Sequence, residues 1–156
     1  MYFFDSSALA KFYHPEAGTP EVDKIFQTPG IQVRISRLTV VEIPSVFAIK
    51  VRTQFISRED ARLLVRQFQE DIVFLVTAIR EQEFAVAERL LEQYAFGLRL
   101  CALDAIQIAV ALGLKSRGLV DQFVAADKVL CQRATLEGFA VFNPEHPKLA
   151  HSKEDL

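Results

Sequence analysis

Residues 1–13 read "MYFFDSSALAKFY", a run of apolar and aromatic side chains that ends on Asp5 and is followed by two serines and a helical pattern. A short strand over "YFFD" therefore passes into a helix over "SSALAKFY". Two readings of Asp5 follow. Asp is a good helix N-cap, and its charge is favourable at a helix N-terminus. Alternatively the strand ends at a site, because ligands in open α/β sheets bind at the carboxyl ends of strands. The rest of the chain bears on both.

Outward from this unit the same alternation continues. "HPEAGTP" (14–20) is a turn broken by Pro15, Gly18 and Pro20. "PEVDKIFQ" (20–27) predicts a helix, and "IQVRIS" (31–36) alternates as a half-buried strand does. Thr39 is expected to open a long helix through Phe55. Ser57, with Asp60 three residues on, opens another, with Ala61, Leu64, Val65, Phe68 and Ile72 at helical period. "VFLV" (73–76) reads as a strand, and "REQEFAVAERLLEQYAFG" (80–97) as an amphipathic helix closed by Gly97. "LDAIQIAVALGLKSRG" (103–118) is apolar enough to predict a central helix ending at Gly118. "VDQFVAAD" (120–127) is a strand ending in a carboxylate, "KVLCQRATLEG" (128–138) a helix, and "FAVFN" (139–143) a last strand. Strands alternate with helices and no Asn-Gly hairpin signal occurs. The expected fold is a three-layer α/β/α domain around a mostly parallel sheet of about five short strands. Residues 1–145 are read as that domain and 146–156 as a polar tail.

Composition narrows the function classes. Of 156 residues, 51% are hydrophobic, enough for a sizeable core in one domain. No apolar run reaches the roughly 20 residues of a membrane span, and no signal peptide is evident. A net charge of −2 excludes nucleic-acid binding through bulk positive charge, so a phosphate substrate would need bound cations or a local basic patch. Cys101 and Cys131 have no CxxC spacing and are expected as buried free thiols of a cytoplasmic protein. His14, His146 and His151 form no metal-ligand spacing and are expected at the surface.

Four acids sit at apolar junctions. Asp5 and Asp127 end strands, whereas Glu42 and Asp104 are expected in the first turns of apolar helices. In a parallel sheet all four point to one edge. Each has a capping alternative, and Thr39 to Glu42 matches the capping-box spacing. Together they suggest more than caps. Carboxylates within about 4–6 Å raise one another's pKa, and a hard divalent cation relieves that cost. Oxygen-only ligands suit Mg²⁺ or Mn²⁺ and not zinc.

"FFDSSALAKFYHPE", "TVVEIPSVF", "LDAIQIAVAL" and "FVAADKVLCQRATLEGFAVFNP" resemble, in order and across nearly the whole chain, the four sequence blocks of the PIN-domain family. The likeness is greatest to its small VapC-type toxin ribonucleases. The resemblance implies a Mg²⁺- or Mn²⁺-dependent endoribonuclease with Asp5, Glu42, Asp104 and Asp127 as the acids. Ser7 matches the small polar residue facing the site, and Asn143 a structural asparagine at the end of the last strand. Two departures stand out. Ala125 replaces the usual Ser or Thr two positions before the fourth acid, and Gln107 replaces a common His three after the third. Pro44 also fits poorly just inside the helix of Glu42, which is expected to start late or to kink there.

The ligand set implies a mechanism. One or two ions, held mainly by Asp5 and Asp104, would bind the scissile phosphate and supply activated water for an in-line attack. Glu42 and Asp127 orient that water or complete a second site. No serine–histidine pair is available for covalent catalysis. Lys11, one turn from Ser7, reaches a flanking phosphate or is simply solvated. Another class remains open, a degenerate PIN module that binds RNA or a protein without cutting. A phosphotransfer receiver domain needs paired acids after the first strand, and "FFDSS" has one. Phe47, Phe55, Leu64 and Phe68 are expected to leave an exposed apolar groove. The resemblance implies a homodimer whose groove takes a small antitoxin, with an Arg or Lys brought near Asp5 and Asp104.

Overall fold

Hydrophobic strands of three or four residues set the frame. The computed structural model describes residues 1–71 and 74–147, and the expectations for Ile72, Val73, His151 and the tail from residue 148 lie outside them. In chain order the elements are β1 (Tyr2–Phe4), α1 (Ser6–Tyr13), α2 (Thr19–Phe26), β2 (Val33–Ser36), α3 (Arg37–Arg52), α4 (Arg58–Glu70), β3 (Leu75–Thr77), α5 (Glu81–Leu98), α6 (Ala102–Lys115), β4 (Gln122–Val124), α7 (Lys128–Leu136) and β5 (Ala140–Phe142). The sheet order is β3-β2-β1-β4-β5, and all four pairings are parallel.

Alternation along β1 builds both faces. Phe3 joins α5, α6 and α7 in one core, stacked on Phe123 at 5.3 Å between ring centroids. Phe4 joins α1, α2, α3 and α4 in the other. Strand order explains the layering. From β1 the chain steps outward through β2 to β3, then returns to place β4 on the other side of β1. The crevice beyond the carboxyl ends of β1 and β4 is the topological switch point, the usual place for a ligand in such sheets.

Several boundaries differ from expectation. Helix α3 starts at Arg37, because the Ser36 hydroxyl at the end of β2 accepts from the Leu38 amide at 3.0 Å. Thr39 is therefore inside the helix and fully buried, and the Thr39–Glu42 capping box does not form. The helix begins early, not late, and Pro44 lies within it. Helix α5 runs through Gly97 and is closed by Arg99 in the left-handed conformation (φ 54). Gly118 does close the turn after α6. At φ 66 it lets the Leu119 amide reach back to the Leu114 carbonyl. Phe47 and Phe68 are buried in the core, so of the expected groove residues Phe55 alone is strongly exposed, at 76%.

Candidate active site

Asp5 follows β1 directly, and its amide donates to the Val124 carbonyl of β4 at 2.9 Å. Its carboxylate caps α1, accepting from the Ser7 amide at 2.9 Å. At 5% exposure it is also nearly sealed from water. Both readings of this residue thus describe one geometry: the cap fixes the carboxylate at the switch point. Burial pushes its pKa up, the Ser7 and Ser6 hydrogen bonds oppose this, and Asp127 adds to the rise.

Glu42 is the sixth residue of α3, one turn deeper than expected. Burial first, and then Asp5, raise its pKa against hydrogen bonds from Ser6 and Gln107. Asp104 does lie in the first turn of α6. Its carboxyl is pushed up to about 6 by burial and then by Asp5, Asp127 and Glu42, with the Cys101 amide opposing. Asp127 caps α7, accepting from the Leu130 amide at 2.8 Å, and is exposed. Four elements thus bring four carboxylates into one another's field at one edge of the sheet.

The segment that delivers Asp127 is fastened at every backbone group. The Ala125 amide donates to the Phe142 carbonyl at 3.2 Å, and its carbonyl accepts from the Cys131 thiol at 3.2 Å. The Ala126 amide donates to the Ser7 hydroxyl at 3.0 Å, and its carbonyl accepts from the Asn143 amide group at 3.1 Å. Ser7 thus ties α1 to this segment, and Asn143 is structural here. Ala125 is fully buried in the core, where a hydroxyl would need a partner of its own.

Gln107 emerges as a further site residue. Fully buried on α6, it donates to the Glu42 carboxylate at 2.7 Å and to the Thr39 hydroxyl at 3.0 Å, while its Oε1 has no partner. Its signal in the sequence is its polarity: it is the only polar side chain from Ala105 to Leu114, one turn after Asp104.

Lys11 is neither solvated nor uncommitted. It is 4% exposed and donates to Glu16 at 3.1 Å and Glu145 at 2.6 Å, and Lys50 also pairs with Glu16. Cys101 is exposed rather than buried, and Cys131 is half-buried with its thiol pushed up to about 12 by burial, Asp127 and Asp5. His146 is exposed, but His14 is half-buried with an unpartnered Nδ1.

Among the described residues, no group of three or more His, Cys, Asp or Glu side chains could hold a metal ion as placed. In kind the donors still suit a hard divalent cation. They are carboxylates, repel one another, and have a neighbouring thiol that stays protonated at neutral pH. Among the described residues, no helix is long and apolar enough to cross a membrane.

The parallel α/β/α frame is shared with several solved proteins. A chain of FitAcB from Neisseria gonorrhoeae matches with a TM-score of 0.67 at 20% identity, covering 94% of this chain and 99% of that one. A chain of VapBC2 from Rickettsia felis, solved bound to a DNA fragment from their promoter, matches with a TM-score of 0.62 at 12% identity, covering 91% and 97%. A toxin–antitoxin complex from Klebsiella pneumoniae matches with a TM-score of 0.54 at 16% identity, covering 92% and 98%. The family model for the PIN domain matches residues 2–136, and the chain belongs to that family. No curated protein matches the sequence.

Proposed function

We propose that this protein is a metal-dependent endoribonuclease and the toxin of a toxin–antitoxin pair. The observation that carries the reading is that burial and neighbouring acids together raise three carboxyls from separate elements at the switch point: Asp127 acts on Asp5, Asp5 on Glu42, and Asp5, Asp127 and Glu42 on Asp104. Structural caps do not need one another's field. Groups poised to share a cation do. Among the similar structures is a toxin–antitoxin complex, which supports the biological role.

Asp5 and Asp104 would hold Mg²⁺ or Mn²⁺, with Glu42 and Asp127 completing the set. The bound ion would supply Lewis-acid activation of water and of the scissile phosphate. The chain's own residues do the rest. Gln107 orients the Glu42 carboxylate and favours its ionised form against the pull of burial, and the clamped Ala125–Ala126 segment keeps Asp127 at the edge. Without a cation the same carboxylates repel an RNA phosphate. Direct hydrolysis by water fits the absence of a serine–histidine pair among the described residues. A homodimer is proposed as well, and the exposed Phe96 and Leu98 at the end of α5 and Leu103 at the start of α6 are suited to such a contact. A small inhibitory antitoxin would place a cation among the acids.

A second reading, a PIN module that binds without cutting, is favoured by Ala125 and by the spacing of the carboxylates, which do not close on a common centre. Incubating the protein with single-stranded RNA and Mn²⁺ separates the two. Cleavage that EDTA stops, and that falls by at least about a hundredfold in Asp5→Asn and Asp104→Asn, is expected. Binding without metal-dependent cleavage would establish the second reading.

A further inference from the structure

An edge lined with carboxylates repels a phosphate chain, and on a protein of net charge −2 the cations that offset this must be local. Two stand at the carboxyl edge of the sheet. Arg37 is the first residue of α3, directly after β2, and Lys128 is the first residue of α7, directly after Asp127. Both are exposed, and neither forms an ion pair among the described residues. Strands β2 and β4 lie on opposite sides of β1, two strand spacings or about 10 Å apart, so one cation stands on each side of the strand that ends in Asp5. Helix stability does not ask for this placement, because a cation at the first position opposes the macrodipole. Helices α2, α4 and α5 carry acids in the first turn, whereas α1, α3 and α7, which follow β1, β2 and β4 within a few residues, carry none. Lys11 on α1 is already held by Glu16 and Glu145. The acidic cluster also keeps an unmet acceptor, the Oε1 of Gln107, whose side chain is fully buried against Glu42.

We propose that Arg37 and Lys128 are positioning residues for the substrate and hold the phosphates on either side of the scissile one. A single RNA strand then crosses the carboxyl ends of β2, β1 and β4, with the acids beneath its middle phosphate. The two cations play different parts. The Arg37 guanidinium can take two oxygens of one phosphate and so fixes its orientation, while Lys128 acts as a point charge. Both grip the backbone and carry no base preference, since phosphate contacts set register and not sequence. The inference rests on the nuclease reading above and adds the path of the strand and the residues that hold it.

Two measurements on the full-length protein test it, both with a labelled oligouridine of about ten nucleotides. Affinity is read by fluorescence anisotropy over a range of salt, with Ca²⁺ in place of Mn²⁺ because it accepts the same oxygen ligands in looser geometry. Initial rates with Mn²⁺ give kcat and KM. Arg37→Gln and Lys128→Gln should each weaken binding and raise KM by at least about fivefold, with kcat within about twofold. Each should also reduce the slope of log affinity against log salt by about 0.7, the share of one phosphate contact on a single strand. Arg37→Lys should recover the slope, which follows charge, and only part of the affinity. Arg117→Gln, between α6 and β4 at the opposite edge of the sheet, should change neither quantity. Wild-type slopes and KM in both Gln variants overturn the proposal, and so does a loss confined to kcat, which marks a structural role. A wild type that does not bind the oligouridine overturns it as well. Binding with the expected slopes but without cleavage would remove the nuclease reading and leave the strand path standing. Cleavage with unaltered slopes would do the reverse.

Discussion

Asp104 gathers the field of three other acids onto one half-exposed carboxyl, held at about 6 where the ordinary value is 3.8. Between those two values the folded protein binds more protons than the unfolded chain, so stability falls as pH rises through the window. Asp5 and Glu42 shift in the same direction. Glu16, where burial is outweighed by Lys50 and Lys11, and Glu83, where it is outweighed by Gln82 and Arg80, are lowered and act only below the usual carboxylate range. Metal-free protein should therefore melt higher at pH 5 than at pH 7.5. Solvent screening holds the Asp104 share to about 1–2 kcal/mol. Asp104→Asn should flatten that difference, and Mn²⁺ should raise the melting temperature of wild type more than that of the variant. A wild-type melting temperature that climbs from pH 5 to 7.5 in EDTA would contradict the assignment. Gln107 yields a second test. Replacing it with Leu removes the donor that lowers the Glu42 pKa, and also removes the buried unpartnered Oε1. Cleavage should fall about tenfold with its acid limb moved to higher pH, while stability changes by about 1 kcal/mol or less. An acid limb that stays in place would sink the positioning role.

Helix α3 shows what local sequence conveys about an element and what it hides. Ser36 could end a strand or cap a helix, and Thr39 has the better capping-box spacing. Burial decides between them, because Thr39 is needed as the acceptor for Gln107, 68 residues away. Gln107 was visible as the odd polar residue of α6, but its partners were not. Lys11 likewise has a surface-like charge in a surface-like helix, and it is turned inward by Glu16 together with Glu145, 134 residues on. By contrast the strand–acid–helix units around Asp5 and Asp127 are announced by adjacent residues, an apolar run, a capping acid and a helical pattern, and were legible from the start. Pro44 offers no N–H to the Val40 carbonyl, yet α3 continues past it on packing against α1 and α4. Gly18 carries an element-scale prediction. It opens α2 at φ 88, and a Cβ there would stand 2.9 Å from the Pro144 carbonyl carbon. Gly18→Ala should cost about 1–3 kcal/mol and loosen the Glu145–Lys11 contact. Denaturant unfolding measures the first. A midpoint equal to that of wild type would show that the C-terminal segment does not press on this turn.

The whole molecule joins residues far apart in the chain, and this is where sequence reading is weakest. Alternating strands and helices implied a parallel sheet, and the sheet is wholly parallel among the described residues. Strand order was not legible, because every pairing is non-local and no turn fixes a register. Phe3 pairs with Arg34 on one side and with Phe123 on the other, 120 positions on. Parallel pairings of this kind make folding late and slow. A chain truncated before Gln122 should therefore lack protease-resistant structure around β1, and resistance should return once β4 is included. Resistance in the shorter chain would mean that β1, β2 and β3 fold alone. The central position of β1 also has a meaning in time. Synthesis makes Asp5 well before Asp127, so for that interval the growing chain carries part of the acidic cluster without the rest. On the function proposed above, a chain still on the ribosome stays inert toward RNA until β4 and Asp127 have been made. Over the same interval its central strand waits with one side open, and that side is where a growing chain of this topology needs shelter.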